Sequence, residues 1–283
     1  MEFPASQPVV SRFEYLAEAG STNDVLVGHA TGADAAGWPD FSAVVTDNQT
    51  QGRGRLGRVW LAPTGKSLAI STLLRPELPG GGALPPHRLG WFPLLAGAAM
   101  TLAVRDVVDA ARVPETADAA PEDRPPSHDV TLKWPNDVLI DGYKVSGILS
   151  ELLPDTRGIV IGAGLNLSLS EHDLPTLTST SLLLVTGSQP NADVVLAMYL
   201  TRLGELYRAF LAANGDPVAS GLMAAVTQLC GTLGCAVRVE LPGGSDLVGV
   251  AQSIDDDGRL VVKNDIDGEL QAVAAGDVTH LRY

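Results

Sequence analysis

Cysteine is scarce in this chain, which has two in 283 residues, at positions 230 and 235. Two cysteines are too few for a disulfide scaffold, so the sequence suits a reducing compartment and we expect a cytoplasmic protein. The opening Met1–Pro4 lacks the basic and apolar regions of a secretory signal. The cysteines have no second pair and the five histidines have no metal-ligand spacing, so we expect no metal site.

Positive charge is also low, because 19 Lys and Arg stand against 33 Asp and Glu, for a net charge of −14. An acidic field repels polyanions, so we expect no binding to DNA and none to anionic membranes. The apolar run Leu89–Val104 spans only 16 residues and contains Gly90, Pro93 and Gly97. It is too short to cross a bilayer and predicts a buried helix.

One segment departs from this acidic background. Between Gln49 and Pro76 there is no Asp or Glu, yet five cations occur there: Arg53, Arg55, Arg58, Lys66 and Arg75. The interleaved glycines leave the backbone free to wrap closely around a ligand, and guanidinium groups bind carboxylate or phosphate oxygens. The pattern predicts an anion-binding loop, with a solvated surface turn as the alternative. Trp60 stands where a Walker motif has its first glycine, so nucleotide binding here is of another kind.

The first half of the chain predicts both helices and strands. Ser21 is a polar cap for a helix that begins near Thr22, and strands are predicted at 42–47 and Ser67–Leu74. A long apolar helix or helix pair is predicted at His87–Val113. Residues 114–129 hold four prolines and five acidic residues with few large apolar ones, which predicts a disordered excursion.

A second dense motif, Lys133–Asp137, closes a short strand at Val130–Trp134. Asp141–Gly142 lies between two β-rich runs and predicts a hairpin. Its return strand would bring Lys144 and its neighbours back beside Asn136 and Asp137. Lys133 and Lys144 are then either site cations or charges that solvate an edge strand. Two further elements are predicted, a central strand and an amphipathic helix, at Gly158–Leu167 and Asn191–Ala213.

The texture of the sequence changes after residue 229. Short strands joined by glycine turns are predicted at Val237–Leu241, Leu247–Ile254, Arg259–Lys263 and Glu269–Ala274. We therefore expect two domains, at residues 1–229 and 230–283, the second a small β-barrel.

Taken together, the motifs resemble those of biotin–protein ligases over about residues 10–283. They are Ser21–Asn23, Gln49, Gly52–Trp60, Lys133–Asp137, Lys144–Glu151 and Gly164–Leu167. The resemblance implies an α+β fold, in which a class II synthetase-like mixed sheet with helices precedes an SH3-like barrel. No helix-turn-helix pattern is present, so the resemblance is to the monofunctional type without an N-terminal DNA-binding domain.

The resemblance also implies a site. Its expected catalytic residues are Lys144 and Arg55. The biotin-binding set is Ser21, Thr22, Asn23, Gln49, Arg53, Gly54, Arg55, Lys144 and Gly147. The nucleotide-binding set is Arg55, Arg58, Trp60, Lys133, Asn136, Asp137 and Asn166, with Trp60 equally expected as a core residue.

The implied activity is ATP-dependent formation of biotinyl-5′-adenylate, followed by transfer of biotin to a lysine of a biotin carboxyl carrier domain. ATP, biotin and Mg²⁺ would take part, and we expect a monomer or weak homodimer. Two alternatives stay open. The first is a lipoate–protein ligase, which an acyl-transfer assay with biotin and with lipoate would distinguish. The second is a non-catalytic nucleotide-binding module, which biotin-dependent ATP–pyrophosphate exchange would exclude.

Overall fold

The structure, a computed structural model, describes residues 1–60, 62–111, 127–241 and 244–281. The first part of these described residues forms a seven-stranded sheet with helices on both faces. The strands are β1 (Arg12–Leu16), β2 (Ser42–Thr46), β3 (Ser67–Leu74), β4 (Val130–Lys133), β5 (Asp137–Ile140), β6 (Tyr143–Leu152) and β7 (Ile159–Asn166). The helices are α1 (Thr22–Thr31), α2 (Trp91–Ala111), α3 (Leu182–Thr186), α4 (Ala192–Ala212) and α5 (Leu222–Leu229).

The sheet is mixed, as predicted. Its strand order is β1-β2-β3-β7-β6-β5-β4, in which β1 and β2 are parallel and the other neighbours are antiparallel. All of the central β3 is buried, because both faces of the sheet are covered. On one face α2 and α4 contribute Trp91, Phe92, Tyr199 and Phe210 to the large core. On the other face α1 packs through Leu26.

The starts of α1 and α2 were predicted with different accuracy. Ser21 is the N-cap of α1 and its hydroxyl accepts the amide N–H of Asp24 at 3.4 Å, as expected for a polar cap. The stretch predicted as helix from residue 87 begins with a 3-10 helix, Pro86–Gly90, which leads into α2. Within the described residues, Pro86–Ala111 is long and apolar enough to cross a membrane, but 72% of its most apolar window is buried inside the protein.

The hairpin predicted at Asp141–Gly142 is present. Both residues have positive φ, +51° and +82°, as a tight two-residue turn requires. Asp137 pairs with Gly147 across β5 and β6, so the expected juxtaposition of the two motifs is confirmed. Of the predicted disordered excursion, residues 114–126 lie outside the described residues.

The C-terminal residues form a five-stranded antiparallel sheet of order β11-β10-β9-β8-β12. Its strands are β8 (Ala236–Glu240), β9 (Asp246–Ile254), β10 (Leu260–Asn264), β11 (Leu270–Val273) and β12 (Asp277–His280). The β9–β10 turn contacts the first part of the protein through two indole N–H groups. Trp91 donates to the carbonyl of Asp256 at 2.7 Å, and Trp134 donates to that of Gly258 at 3.1 Å. The α+β fold class is confirmed, and β12 is a strand that the sequence analysis missed. The division into domains at residues 229 and 230 stays a prediction.

Candidate active site

A cavity of about 430 Å³ lies where the glycine/arginine loop (residues 52–60), the start of α1, the β5–β6 hairpin and β12 converge. Every predicted site residue except Asn166 lines it. The members are Ser21, Thr22, Asn23, Gln49, Arg53, Gly54, Arg55, Arg58, Trp60, Lys133, Asn136, Asp137, Lys144 and Gly147.

The glycine/arginine loop folds back on itself as an irregular hairpin. The amide of Gly54 donates to the carbonyl of Arg58 at 2.6 Å, and the amide of Trp60 donates to the carbonyl of Gly52 at 2.8 Å. A Cβ at position 52 would collide with the carbonyl oxygen of Trp60, so only glycine allows this close approach. At the tip, Leu56 and Gly57 have φ of +56° and +73°. The loop therefore holds its arginines on a narrow, tightly bent ribbon.

Two loop arginines reach towards the C-terminal sheet. Arg55 donates to the Oδ1 of Asn136 at 3.0 Å and to the carbonyl of Gly276 at 3.0 Å. Arg58 forms an ion pair with Asp277, the first residue of β12. Together they connect the loop to both the Lys133–Asp137 motif and the second sheet.

Arg53 points the other way, towards α1 and β6. It forms ion pairs with Asp24 and with Glu151, the latter at 3.2 Å. Because two carboxylates face one guanidinium, the positive charge of Arg53 is balanced by the protein itself.

Lys144 lies beside Asp137 on the floor of the cavity. Its Nζ is 2.6 Å from Oδ1 of Asp137 and 5.8 Å from the centre of the Trp60 ring. The backbone of Lys144 is fixed by a neighbouring segment: its N–H donates to Thr178 and its carbonyl accepts from Thr180, both at 2.8 Å. An ammonium held this way can bind an anionic ligand that displaces Asp137, or one that contacts Lys144 together with Asp137.

The charged groups at the end of the cavity around Lys144 are partly desolvated. Burial lowers the pKa of Lys133, although the nearby carboxylates of Asp137 and Asp277 oppose the shift. For Asp277, burial favours the neutral acid, but the hydrogen bond and charge of Arg58, with further help from Lys133 and Arg55, hold the pKa below its usual range. Cations in a low-dielectric cavity interact with phosphate oxygens more strongly than cations in water do.

The opposite end of the cavity is neutral. Gln49 accepts from the amide of Thr22 at 2.9 Å and from its hydroxyl at 3.2 Å through the same oxygen, Oε1. The Nε2 group of Gln49 has no hydrogen bond among the described residues, and Gln49 and Ser21 both line the cavity. This end offers N–H and O–H donors to a carbonyl-like acceptor without adding formal charge.

Trp60 forms the wall between the two ends. A Cβ on Gly164 would lie 2.5 Å from Cζ2 of the Trp60 ring and one on Gly147 would lie 3.4 Å from Cζ3, so these glycines make room for the indole. Its buried Nε1 has no hydrogen-bond partner within the part of the chain that the structure describes. Trp60 therefore lines the cavity, instead of lying in the core behind it.

Asn166 is the predicted site residue that does not line the cavity. It is buried at the end of β7, and its side-chain amide donates to the carbonyl of Thr180 at 2.9 Å. Other residues were absent from the predicted sets although they line the cavity or contact its walls. Among them are Asp24, Ser71, Glu151, Pro175, Thr176, Thr178, Ser179 and Asp277–Thr279. Glu151 belongs to one of the motifs that carry the family resemblance, whereas no local sequence pattern indicates Asp277.

Comparisons with known proteins agree with this geometry. Residues 21–166 match the biotin/lipoate A/B protein ligase family, and residues 232–281 match the biotin protein ligase C-terminal domain. The chain is 36% identical, over 272 residues, to a biotin–[acetyl-CoA-carboxylase] ligase from Mycobacterium tuberculosis, which covers 96% of this chain and 90% of that protein. The chain belongs to the biotin protein ligase family.

Solved structures of this family have the same fold. The biotin protein ligase from Aquifex aeolicus in complex with biotin and ATP superposes with a TM-score of 0.71 at 25% identity, covering 96% of this chain and all of that one. The enzyme from Leishmania major in complex with biotin has a TM-score of 0.58 at 28% identity, covering 94% and 99%. The predicted family and ligase class are thus confirmed, whereas the roles of single residues stay predictions.

Proposed function

We propose that this member of the family joins biotin to a protein in two steps, with ATP as the second substrate. The observation that carries the proposal is the polarity of the cavity along β6 and β7. Its floor passes from Leu149 and Gly162, beside the neutral end, to Gly147 and Gly164 under Trp60, and then to Lys144. From Leu149 to Lys144 is about 16 Å of strand, a length suited to a ligand with a neutral head and an acidic tail.

In the first step a carboxylate oxygen of biotin attacks the α-phosphorus of ATP. The bond from that phosphorus to the bridging oxygen of pyrophosphate breaks, and biotinyl-5′-adenylate forms. Both reactants are anions, so the site must hold them together against repulsion. Lys144, Arg55 and Arg58 supply fixed positive charge for this purpose.

In the second step the ε-amine of an acceptor lysine attacks the carbonyl carbon of the mixed anhydride. An amide bond forms, the bond to the phosphate oxygen breaks, and AMP leaves with the proton lost from nitrogen. The adenylate also reacts with water, so it must be covered until the acceptor arrives. The glycine/arginine loop, tied down by Arg53, Arg55 and Arg58, serves as this cover.

Mg²⁺ enters as part of the nucleotide substrate. Among the described residues there is no group of three or more His, Cys, Asp or Glu side chains that could hold a metal ion by itself. Proteins that take up Mg²⁺ with a nucleotide use one or two carboxylates together with phosphate oxygens. Asp137 and Asp277 line the cavity and fit that requirement.

The acceptor is a biotin carboxyl carrier protein or domain of a biotin-dependent carboxylase. The Mycobacterium relative is named for such a substrate, and this chain covers nearly all of its length. We further propose a cytoplasmic monomer or weak homodimer that binds neither DNA nor membranes. The net charge of −14 supports the lack of DNA binding, and the burial of Pro86–Ala111 supports the lack of membrane insertion.

The decisive experiment is to incubate the protein with MgATP, a carboxyl carrier domain and either biotin or lipoate, and to weigh the carrier by mass spectrometry. We expect the mass of one biotinyl group on a single lysine and no gain with lipoate. A carrier that gains lipoyl instead of biotinyl would replace the proposal with its closest alternative. A carrier that gains neither, with no biotin-dependent ATP–pyrophosphate exchange, would leave only a nucleotide-binding module.

A further inference from the structure

A chain of side-chain hydrogen bonds connects the glycine/arginine loop with the neutral end of the cavity. Arg53 contacts Oε1 of Glu151 at 3.2 Å, and the amide Nδ2 of Asn23 donates to the same oxygen at 3.0 Å. On its other side Asn23 is held through Oδ1, which lies 2.6 Å from the hydroxyl of Ser71. That hydroxyl is also 2.8 Å from Oγ1 of Thr22. The series therefore runs from the loop through β6 and α1 to β3.

Glu151 is the charged acceptor that orients Asn23, whose Nδ2 also donates to the carbonyl of Leu149 at 3.4 Å. An ionised carboxylate only accepts hydrogen bonds, so the NH₂ end of the Asn23 amide must face Glu151. Reversing the amide would place its oxygen against the carboxylate and its NH₂ against Ser71. Gly162 makes room for this amide, because a Cβ on Gly162 would lie 2.5 Å from Oδ1 of Asn23. The glycine therefore allows the amide to lie here, and the carboxylate sets which end of it faces β6.

Glu151 also takes part in anchoring the loop. Arg53 forms ion pairs with Asp24 at the first turn of α1 and with Glu151 on β6, and the contact with Asp24 is the shorter one. The side chain of Glu151 is 30% exposed and that of Asp24 is 58% exposed. Solvent therefore screens the pair with Glu151 less than it screens the pair with Asp24.

We propose that Glu151 is a positioning residue that couples the orientation of Asn23 to the anchoring of the glycine/arginine loop at Arg53. The inference deepens the proposed function and rests on it, because that function places biotin beside Asn23. Glu151 itself does not take part in the chemistry. Loss of Glu151 should therefore raise the KM for biotin and leave the KM for ATP nearly unchanged.

The test compares Glu151→Leu with Glu151→Gln. Leucine removes both contacts, whereas glutamine keeps an oxygen for Asn23 and removes only the charge that faces Arg53. Steady-state adenylate formation is measured at varied biotin and at varied ATP. Asp173→Asn is the matched control, because it weakens a carboxylate–cation pair, with Lys66 at 2.6 Å, whose members do not line the cavity.

We expect Glu151→Leu to raise the KM for biotin about tenfold or more and the KM for ATP less than about twofold, as the loss of one partly buried hydrogen-bond acceptor predicts. Glu151→Gln should keep the KM for biotin within about threefold of wild type. Because the loop is less anchored, trypsin should cleave both variants faster than wild type after Arg53, Arg55 or Arg58. Asp173→Asn should match wild type in all three measurements.

The inference is overturned if Glu151→Leu leaves the KM for biotin unchanged, or raises both KM values equally. Equal cleavage of the loop in wild type and Glu151→Leu also overturns it. These results differ from failure of the proposed function, in which wild type itself forms no adenylate from biotin and ATP. In that case biotin affinity no longer reports on the site, and the rate of tryptic cleavage alone decides whether Glu151 anchors the loop.

Discussion

Arg58 of the glycine/arginine loop forms an ion pair with Asp277, a residue 219 positions further along the chain. Arg55, three residues before Arg58, donates to the carbonyl of Gly276. The C-terminal sheet therefore forms part of the active-site wall and holds two of the three loop arginines. A loop attached on both sides in this way can act as a cover only if its attachments survive ligand binding or are replaced by ligand contacts.

Replacing Arg55 by glycine should make the enzyme release its reactive intermediate. The variant loses the contacts to Asn136 and Gly276 and gains backbone freedom in the loop. Arg58 and Lys144 remain, so part of the first step should survive. We expect albumin added to a reaction with biotin and ATP to become biotinylated, and a biotin blot measures it.

The matched control for this prediction is Leu56→Gly. Leu56 is the next residue, is 76% exposed and has a φ of +56°, a conformation that glycine adopts without strain. It therefore adds flexibility without removing a polar contact. Clean albumin with Arg55→Gly, while adenylate is still formed, would show that Arg55 does not cover the intermediate. Equal labelling by both variants would assign the leak to flexibility alone.

Lys144→Ala should abolish adenylate formation in a folded protein. Lys144 is a cation at the centre of the cavity floor, and loss of one such group from a transition state that gathers negative oxygens typically costs about 3–4 kcal/mol, or 10²–10³ in rate. Its side chain is 32% exposed and contacts only Asp137 as an ion pair, so the melting temperature should change little. Pyrophosphate release and thermal melting measure the two effects.

Lys66→Ala serves as the control for Lys144→Ala, because Lys66 pairs with Asp173 and does not line the cavity. Lys66→Ala also removes a lysine side chain, but from a neighbouring part of the protein. Normal turnover is expected for Lys66→Ala. Turnover in Lys144→Ala that equals this control would remove Lys144 from the catalytic residues.

Local patterns were sufficient to predict much of this site. The glycine/arginine loop, the N-cap at Ser21 and the Asp141–Gly142 hairpin each depend on residues that are close in sequence, so their geometry follows from turn and cap preferences. The hairpin then brought Lys144 to Asp137. These elements carry most of the cavity wall.

Contacts between distant elements could not be predicted in the same way. Asp277 reaches Arg58 only because the β9–β10 turn docks on Trp91 and Trp134, and no local pattern reports where a second sheet docks. Glu151 lay in a recognised motif, yet its pairing with Arg53 depends on the register of β6. Asn166 was placed at the nucleotide by resemblance, while its side chain faces Thr180.

The charge state of Lys133 should set an alkaline limit on the use of ATP. Burial lowers the pKa of Lys133 from the ordinary 10.5, so the ammonium loses its proton at a lower pH than an exposed lysine would. Only the protonated form attracts phosphate, so kcat/KM for ATP should fall as the pH rises through the lowered value. Lys133→Arg should extend the plateau to higher pH, because a guanidinium stays protonated there.

A pH profile of kcat/KM for ATP, measured for wild type and Lys133→Arg, checks this prediction. The profile for biotin at saturating ATP is the internal control, since Lys133 is assigned to the nucleotide end. An alkaline limb at the same pH in both proteins would mean that another group titrates. If Lys133→Arg shifts the alkaline limb of the profiles for biotin and for ATP alike, the assignment of Lys133 to the nucleotide end is also contradicted.

Adding one methyl group at Gly164 should disturb the wall of the cavity more than the fold. The Cβ of alanine would lie 2.5 Å from Cζ2 and 2.7 Å from Nε1 of Trp60, so the indole must move. Overpacking of this kind typically costs about 1–3 kcal/mol.

Gly28→Ala is the contrasting variant, because a Cβ there meets no atom within 4 Å and the site lies inside α1. Alanine in a helix interior should stabilise the protein by about 0.5–1 kcal/mol. Chemical denaturation measures both changes, and biotin-dependent pyrophosphate exchange should fall at least tenfold in Gly164→Ala and stay normal in Gly28→Ala. If Gly164→Ala keeps wild-type stability and exchange, the close packing of Trp60 on this glycine does not shape the site.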